Sequence, residues 1–116
     1  MLSLPPTVRI FLCRVPADMR RSFDGLAAMA GLHLREDPLS GHLFVFRSRR
    51  GDRLKILYWD RDGYALWYKR LESGTFLFPP GDSPSITPAM LQGLLSGLDW
   101  TSARWKPRYE AKNNPP

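Results

Sequence analysis

The stretch HLFVFRSRRGDRLKILYWDRDGYALWYKRL, residues 42–71, decides the fold. Three runs inside it, residues 42–47, 53–59 and 64–71, are dense in β-branched and aromatic side chains, which suit a pleated, half-buried surface. They are separated by SRRGD and DRDG, whose Asp and Gly favour tight hairpin turns. The reading is three consecutive antiparallel strands. A shorter run, residues 75–78, predicts a fourth strand at the sheet edge before Pro79, Pro80 and Gly81 break regular structure. Side chains alternate in facing along a strand, so Tyr58 opposes Trp59 and Trp67 opposes Tyr68, placing aromatics on both faces. One face must be core; the other is either covered by helices or left for a partner.

Upstream, Val8, Ile10 and Leu12 alternate with Arg9, Phe11 and Cys13, the period of a strand, with Pro16 expected to end it. Asp18 is then placed to cap a helix whose apolar positions are Met19, Phe23, Leu26, Ala27 and Ala30, with Gly31 as its stop. Gly25 inside it costs about 1 kcal/mol relative to Ala. Downstream, Thr87 followed by Pro88 starts a second helix: a capping hydroxyl, then a proline whose missing N–H is harmless at the first position. Its stripe is Met90, Leu91, Leu94, Leu95 and Leu98, and Trp100 anchors its end. The prediction is one α+β domain over residues 1–100, a mainly antiparallel β-meander with two helices in the order β-α-β-β-β-β-α. Residues 101–116, TSARWKPRYEAKNNPP, lack periodicity and read as a basic flexible tail.

Seventeen Lys plus Arg against eleven Asp plus Glu give a formal charge of +6 and a pI near 10.0, which attracts polyanions. No stretch approaches the roughly 18–20 apolar residues of a bilayer span, and the N-terminus lacks the order of a signal peptide. The single cysteine, Cys13, lies in an apolar run and fits a reducing compartment, so a cytoplasmic protein with a buried, inert thiol is expected.

The densest charge is Arg47, Arg49, Arg50, Arg53 and Lys55, five cations within nine residues at an expected hairpin tip. Guanidinium forks match phosphate geometry, and a two-stranded ribbon fits a DNA groove. Arg20 and Arg21 open the first helix, where cations oppose its dipole, so they point to a partner rather than to helix stability. Arg104, Lys106 and Arg108, interleaved with Trp105 and Tyr109, add a further basic stretch. Solubilising surface charge is the alternative in each case.

Catalytic signals are weak. Asp52, Asp60 and Asp62 fall in turns, where Asp is favoured for its backbone hydrogen bonds, and with Glu72 they match no two-metal pattern. His33, His42 and Cys13 have no zinc spacing, and no glycine motif cradles a phosphate. No cofactor, no metal and no enzymatic activity are expected.

The blocks DMRRSFDGLA (18–27), DPLSGHLFVFRSRRGDRLKILYWDRDGYALWYKRLESGTF (37–76) and ITPAMLQGLLSGLDW (86–100) resemble the TnpB accessory family of insertion-sequence-66 transposons. The opening LPPTVRIFL is also similar, while residues 31–36 and the tail are the variable parts. This resemblance implies participation in transposition beside a separate transposase that carries the catalytic acids. It does not imply RNA-guided nuclease activity, which belongs to an unrelated protein sharing the name, and it supplies no catalytic residues. Two functions then compete: binding of transposon-end DNA through the basic hairpin, or adaptor docking of the transposase and other element-encoded proteins through the aromatic sheet face and second helix. Oligomeric state stays open.

Overall fold

A computed structural model describes residues 5–102 and the backbone of 104–105. The tail side chains singled out above lie outside the described residues. Strands β1 (Ile10–Ala17), β2 (Leu43–Ser48), β3 (Arg53–Asp60), β4 (Gly63–Arg70) and β5 (Ser85–Ile86) form one five-stranded sheet in the order β4-β3-β2-β1-β5. Helix α1 (Phe23–Met29) runs on into a π-helical turn (Ala30–Leu34), and α2 (Pro88–Ser96) precedes a small hairpin of β6 (Leu98–Asp99) and β7 (Arg104–Trp105). The α+β class, the element order and the β2-β3-β4 meander are as predicted.

The centre of the sheet is buried on both faces, which is why β1, β2 and β3 read as near-continuous apolar runs. Ile10, Leu12, Leu43, Val45, Leu54 and Ile56 pack on one side with Phe76, Leu91 and Leu94. On the other, Phe11, Cys13, Phe44, Phe46 and Leu57 pack against Leu26, Ala27, Met29 and Ala30 of α1 and its extension. The two helices therefore cover opposite faces, and the stripe of α2 is taken up by the core. Strand β4 is the open edge, intermediate or exposed along its length.

The structure departs from or adds to the sequence reading in several local features. First, β1 pairs β2 in parallel through the α1 crossover, an arrangement that strand patterning alone does not distinguish from antiparallel. Second, Pro16 does not end β1. The register to β2 shifts between Cys13 and Ala17, so the proline falls in an irregular stretch where no ladder N–H is required. Third, Asp18 does not cap α1: its carboxylate accepts the Arg20 N–H at 2.9 Å and closes a separate turn, and the helix begins after Ser22. Nor does Gly31 stop it, because the π turn carries the chain to Arg35, which takes the left-handed conformation at φ +53°.

Fourth, residues 75–78 are not a strand. The chain must travel from β4 at one edge to β5 at the other, so it crosses the sheet face as a strap. Its polar groups are met individually: Phe76 N–H donates to Gly51 O at 2.7 Å, Trp100 Nε1 donates to Leu77 O at 2.9 Å, and Arg14 Nη1 donates to Pro79 O at 2.8 Å. The fourth strand is instead Ser85–Ile86, antiparallel to β1. Helix α2 starts as expected, with Thr87 Oγ1 accepting the Met90 N–H at 3.1 Å, and Gly97 at φ +94° ends it by donating to Gly93 O. A left-handed residue here favours glycine, which lacks the Cβ that resists it.

Candidate nucleic-acid interface

The β2–β3 turn is fastened before it presents any charge. Gly51 N–H donates to Ser48 O, Ser48 Oγ donates to Asp52 Oδ1 at 3.2 Å, and Arg53 N–H donates to Ser48 Oγ at 3.1 Å. Gly51 sits at φ +81°, and a Cβ there would lie 3.4 Å from Thr75. Arg49 and Arg50 are left exposed at the tip. Across a gap stands the β1–α1 loop, where Arg20 grips Asp18 through Nε and Nη2, the shortest contact being 2.6 Å, while its side chain stays 91% exposed.

These two pieces, distant in sequence, enclose one concavity of about 370 Å³ lined by Asp18, Met19, Arg20, Ser48, Arg49, Arg50, Asp52 and Arg53. Neither Arg49 nor Arg50 is in an ion pair among the described residues. Arg53 lies directly opposite Arg70 on β4, a like-charge cross-strand pair in which Arg70 is answered by Glu72 at 3.1 Å and Arg53 donates to the Tyr68 hydroxyl at 3.4 Å. Sequence reasoning missed Arg70 and its neighbour Lys69, both exposed. The signal was available: the pairing of the third strand with the second carries WYKR back beside Arg53.

The remaining predicted site residues are placed otherwise. Arg21 is exposed but lines a neighbouring groove with Arg49. Arg47 turns onto the sheet face, donating to Phe76 O at 2.9 Å with its guanidinium 4.1 Å from the Phe78 ring centre. Burial lowers the basicity of Arg47, and the nearby Arg14 adds to the effect. Lys55 is buried, with Nζ donating to Met19 O at 2.8 Å and Arg21 O at 2.6 Å, and lies 4.6 Å from the Tyr68 ring centre. Arg47 and Lys55 hold the scaffold that presents the other cations: Arg47 fastens the strap, and Lys55 ties down the loop bearing Arg20 and Arg21.

The Asp18 carboxyl is drawn down to about 2, first by its side-chain hydrogen bonds from Arg20 and then by the Arg20 backbone N–H. A depressed carboxylate contributes stability above its unfolded value near 3.8, and the contribution is lost as pH falls through about 2. Following the Asp18 carboxyl carbon by NMR should therefore give a midpoint near 2 in the wild type, moving back toward 3.8 in Arg20→Ala. An unchanged midpoint in the variant would mean that the Asp18–Arg20 clip does not persist in solution.

Asp60 and Asp62 sit at the β3–β4 turn, the far end of that hairpin from Arg53 and Arg70. Among the described residues, no three His, Cys, Asp or Glu side chains gather where a metal ion could be held. His42 Nδ1 instead accepts the Arg9 N–H at 2.9 Å. No described helix is long and apolar enough to cross a membrane.

No solved structure matches this chain. Two proteins of Sinorhizobium fredii (strain NBRC 101917 / NGR234) are similar to it. The uncharacterized protein y4jC is 44% identical over 102 residues, covering 86% of this chain and 87% of that protein. The uncharacterized protein y4hO is 40% identical over 111 residues, covering 92% and 96%. The family described as IS66 Orf2 like protein matches residues 8–105, from before β1 through β7. Spanning the sheet, both helices and the basic concavity, that match means the chain belongs to the transposition-associated IS66 Orf2-like family.

Proposed function

We propose that this protein acts in the cytoplasm as a non-catalytic accessory factor in DNA transposition, binding transposon DNA beside a separate transposase. The observation that carries this reading is the convergence of Arg20 with Arg49, Arg50 and Arg53 around one concavity. The guanidiniums of Arg49, Arg50 and Arg53 offer forked donors to phosphate oxygens, Arg20 stands exposed at the rim with its Nε and Nη2 held by Asp18, and the protein's +6 charge draws a polyanion toward them. Lys69 and Arg70 extend the same end of the sheet.

The test is binding to transposon-end and scrambled duplexes across a salt series, beside a variant with Arg20, Arg49, Arg50 and Arg53 changed to Ala. Each phosphate contact removed should flatten the log–log salt slope by about 0.9, so the fourfold variant should lose roughly 3–4 units of slope together with most of its affinity. Its thermal midpoint serves as the folding control. A folded variant with the wild-type slope and affinity would sink this reading. Preference for the transposon end over the scrambled duplex distinguishes sequence recognition from backbone binding.

A further inference from the structure

Beside the basic concavity lies a second groove of about 320 Å³, formed where the end of β1 meets α1 and its π turn. The two share Asp18 and Arg49, but their chemistry differs. This one is lined by Val15, Met29 and Leu32 as well as by Arg21 and Arg49. Leu32 is 74% exposed, more than any other large apolar side chain among the described residues, and Val15 is 44% exposed. Arg21 and Arg49 are exposed, and neither forms an ion pair with a described residue. The one carboxylate in the lining, Asp18, is engaged by Arg20.

Bare phosphates can satisfy the two guanidiniums but gain nothing from Leu32 and Val15, whose cover comes only from another apolar surface. A carboxylate meets a guanidinium fork as well as a phosphate does, and a peptide can carry carboxylates and aliphatic side chains together. The π turn that leaves Leu32 exposed is itself an uncommon helical form, frequent at functional sites. We propose that this groove docks an acidic, leucine-bearing segment of a protein partner, with aliphatic side chains against Val15 and Leu32 and carboxylates on Arg21 and Arg49. The inference goes beyond DNA binding and does not depend on it.

The probe is a short synthetic peptide of leucine and glutamate, titrated into the isotope-labelled full chain, beside peptides with Gln replacing Glu or Ser replacing Leu. The expected result is amide shifts at Val15, Arg21, Leu32 and Arg49, with affinity falling about tenfold for either control peptide. The same loss is expected for Leu32→Ser and for Arg21→Gln with Arg49→Gln, all at exposed positions that leave the fold intact. Duplex binding by Leu32→Ser should equal the wild type, so the outcome here and the outcome of the DNA test are read separately. The proposal is overturned if those amides do not shift, or if the Leu32→Ser chain or the Gln peptide binds undiminished. It is also overturned if Leu32→Ser weakens duplex binding instead, which would make the groove part of the nucleic-acid face.

Discussion

Replacing Phe76 with alanine should destabilise the protein by about 3–5 kcal/mol, a large share of what a domain of this size possesses. Phe76 is fully buried, packed with Leu54, Ile56, Leu71 and Leu94 on the α2 side of the sheet. Its backbone is fastened at both polar atoms, the N–H to Gly51 O and the carbonyl to Arg47 Nη1. Alanine keeps those hydrogen bonds and removes only the ring, so the loss reports a cavity walled by β3 and α2. Urea unfolding should show a lower midpoint with an unchanged m value. A cost below about 1 kcal/mol would mean that the strap is an ornament on the core rather than part of it.

The second large effect is expected at Lys55. Its ammonium has three N–H donors, and the structure gives it two backbone carbonyls and the face of Tyr68. Lys55→Met retains most of the stem packing but leaves Met19 O and Arg21 O without their donor, at about 1–3 kcal/mol for each carbonyl that stays dry. The total should approach about 2–6 kcal/mol, and amide exchange around Arg20 and Arg21 should accelerate as their loop loosens. Hydrogen exchange by mass spectrometry separates the local effect from global unfolding. Wild-type stability and exchange would indicate that water replaces the ammonium at both carbonyls.

Residues 42–71 announced their meander because hairpins are local: strand, turn and partner strand are consecutive, and Asp and Gly stand where the turns need them. The start of helix α2 was legible for the same reason, its capping Thr87 and first-turn Pro88 being adjacent, whereas its end was not: the apolar stripe was carried to Leu98, past the stop at Gly97. What the sequence concealed depends on contacts between distant segments. Parallel pairing of β1 with β2 leaves no mark that differs from antiparallel pairing, and TFLF has strand composition although its place is across the sheet. Asp18 has two uses, helix cap or turn clip, and the neighbouring Arg20 decides between them. Around the concavity, charge density located Arg49, Arg50 and Arg53, but Arg47 and Lys55 stand further from the tip, where the strap covers one and the β1–α1 loop the other. Lys55 resembled a surface cation because only the fold reveals the two carbonyls waiting for it.

The pairing of Ile10 with Ile86 closes the sheet with residues from opposite ends of the chain. On a ribosome, β1 through β4 are complete well before residue 85 has been made, so the outer margin of β1 waits uncapped while the rest of the sheet assembles. A nascent chain that stalls before Ser85 would carry an open margin of Ile10 and Phe11 into a crowded cell, where unpaired strand edges recruit one another. Synthesis of residues 85–86 is thus the step that covers this margin of β1, leaving β4 as the long edge of the sheet.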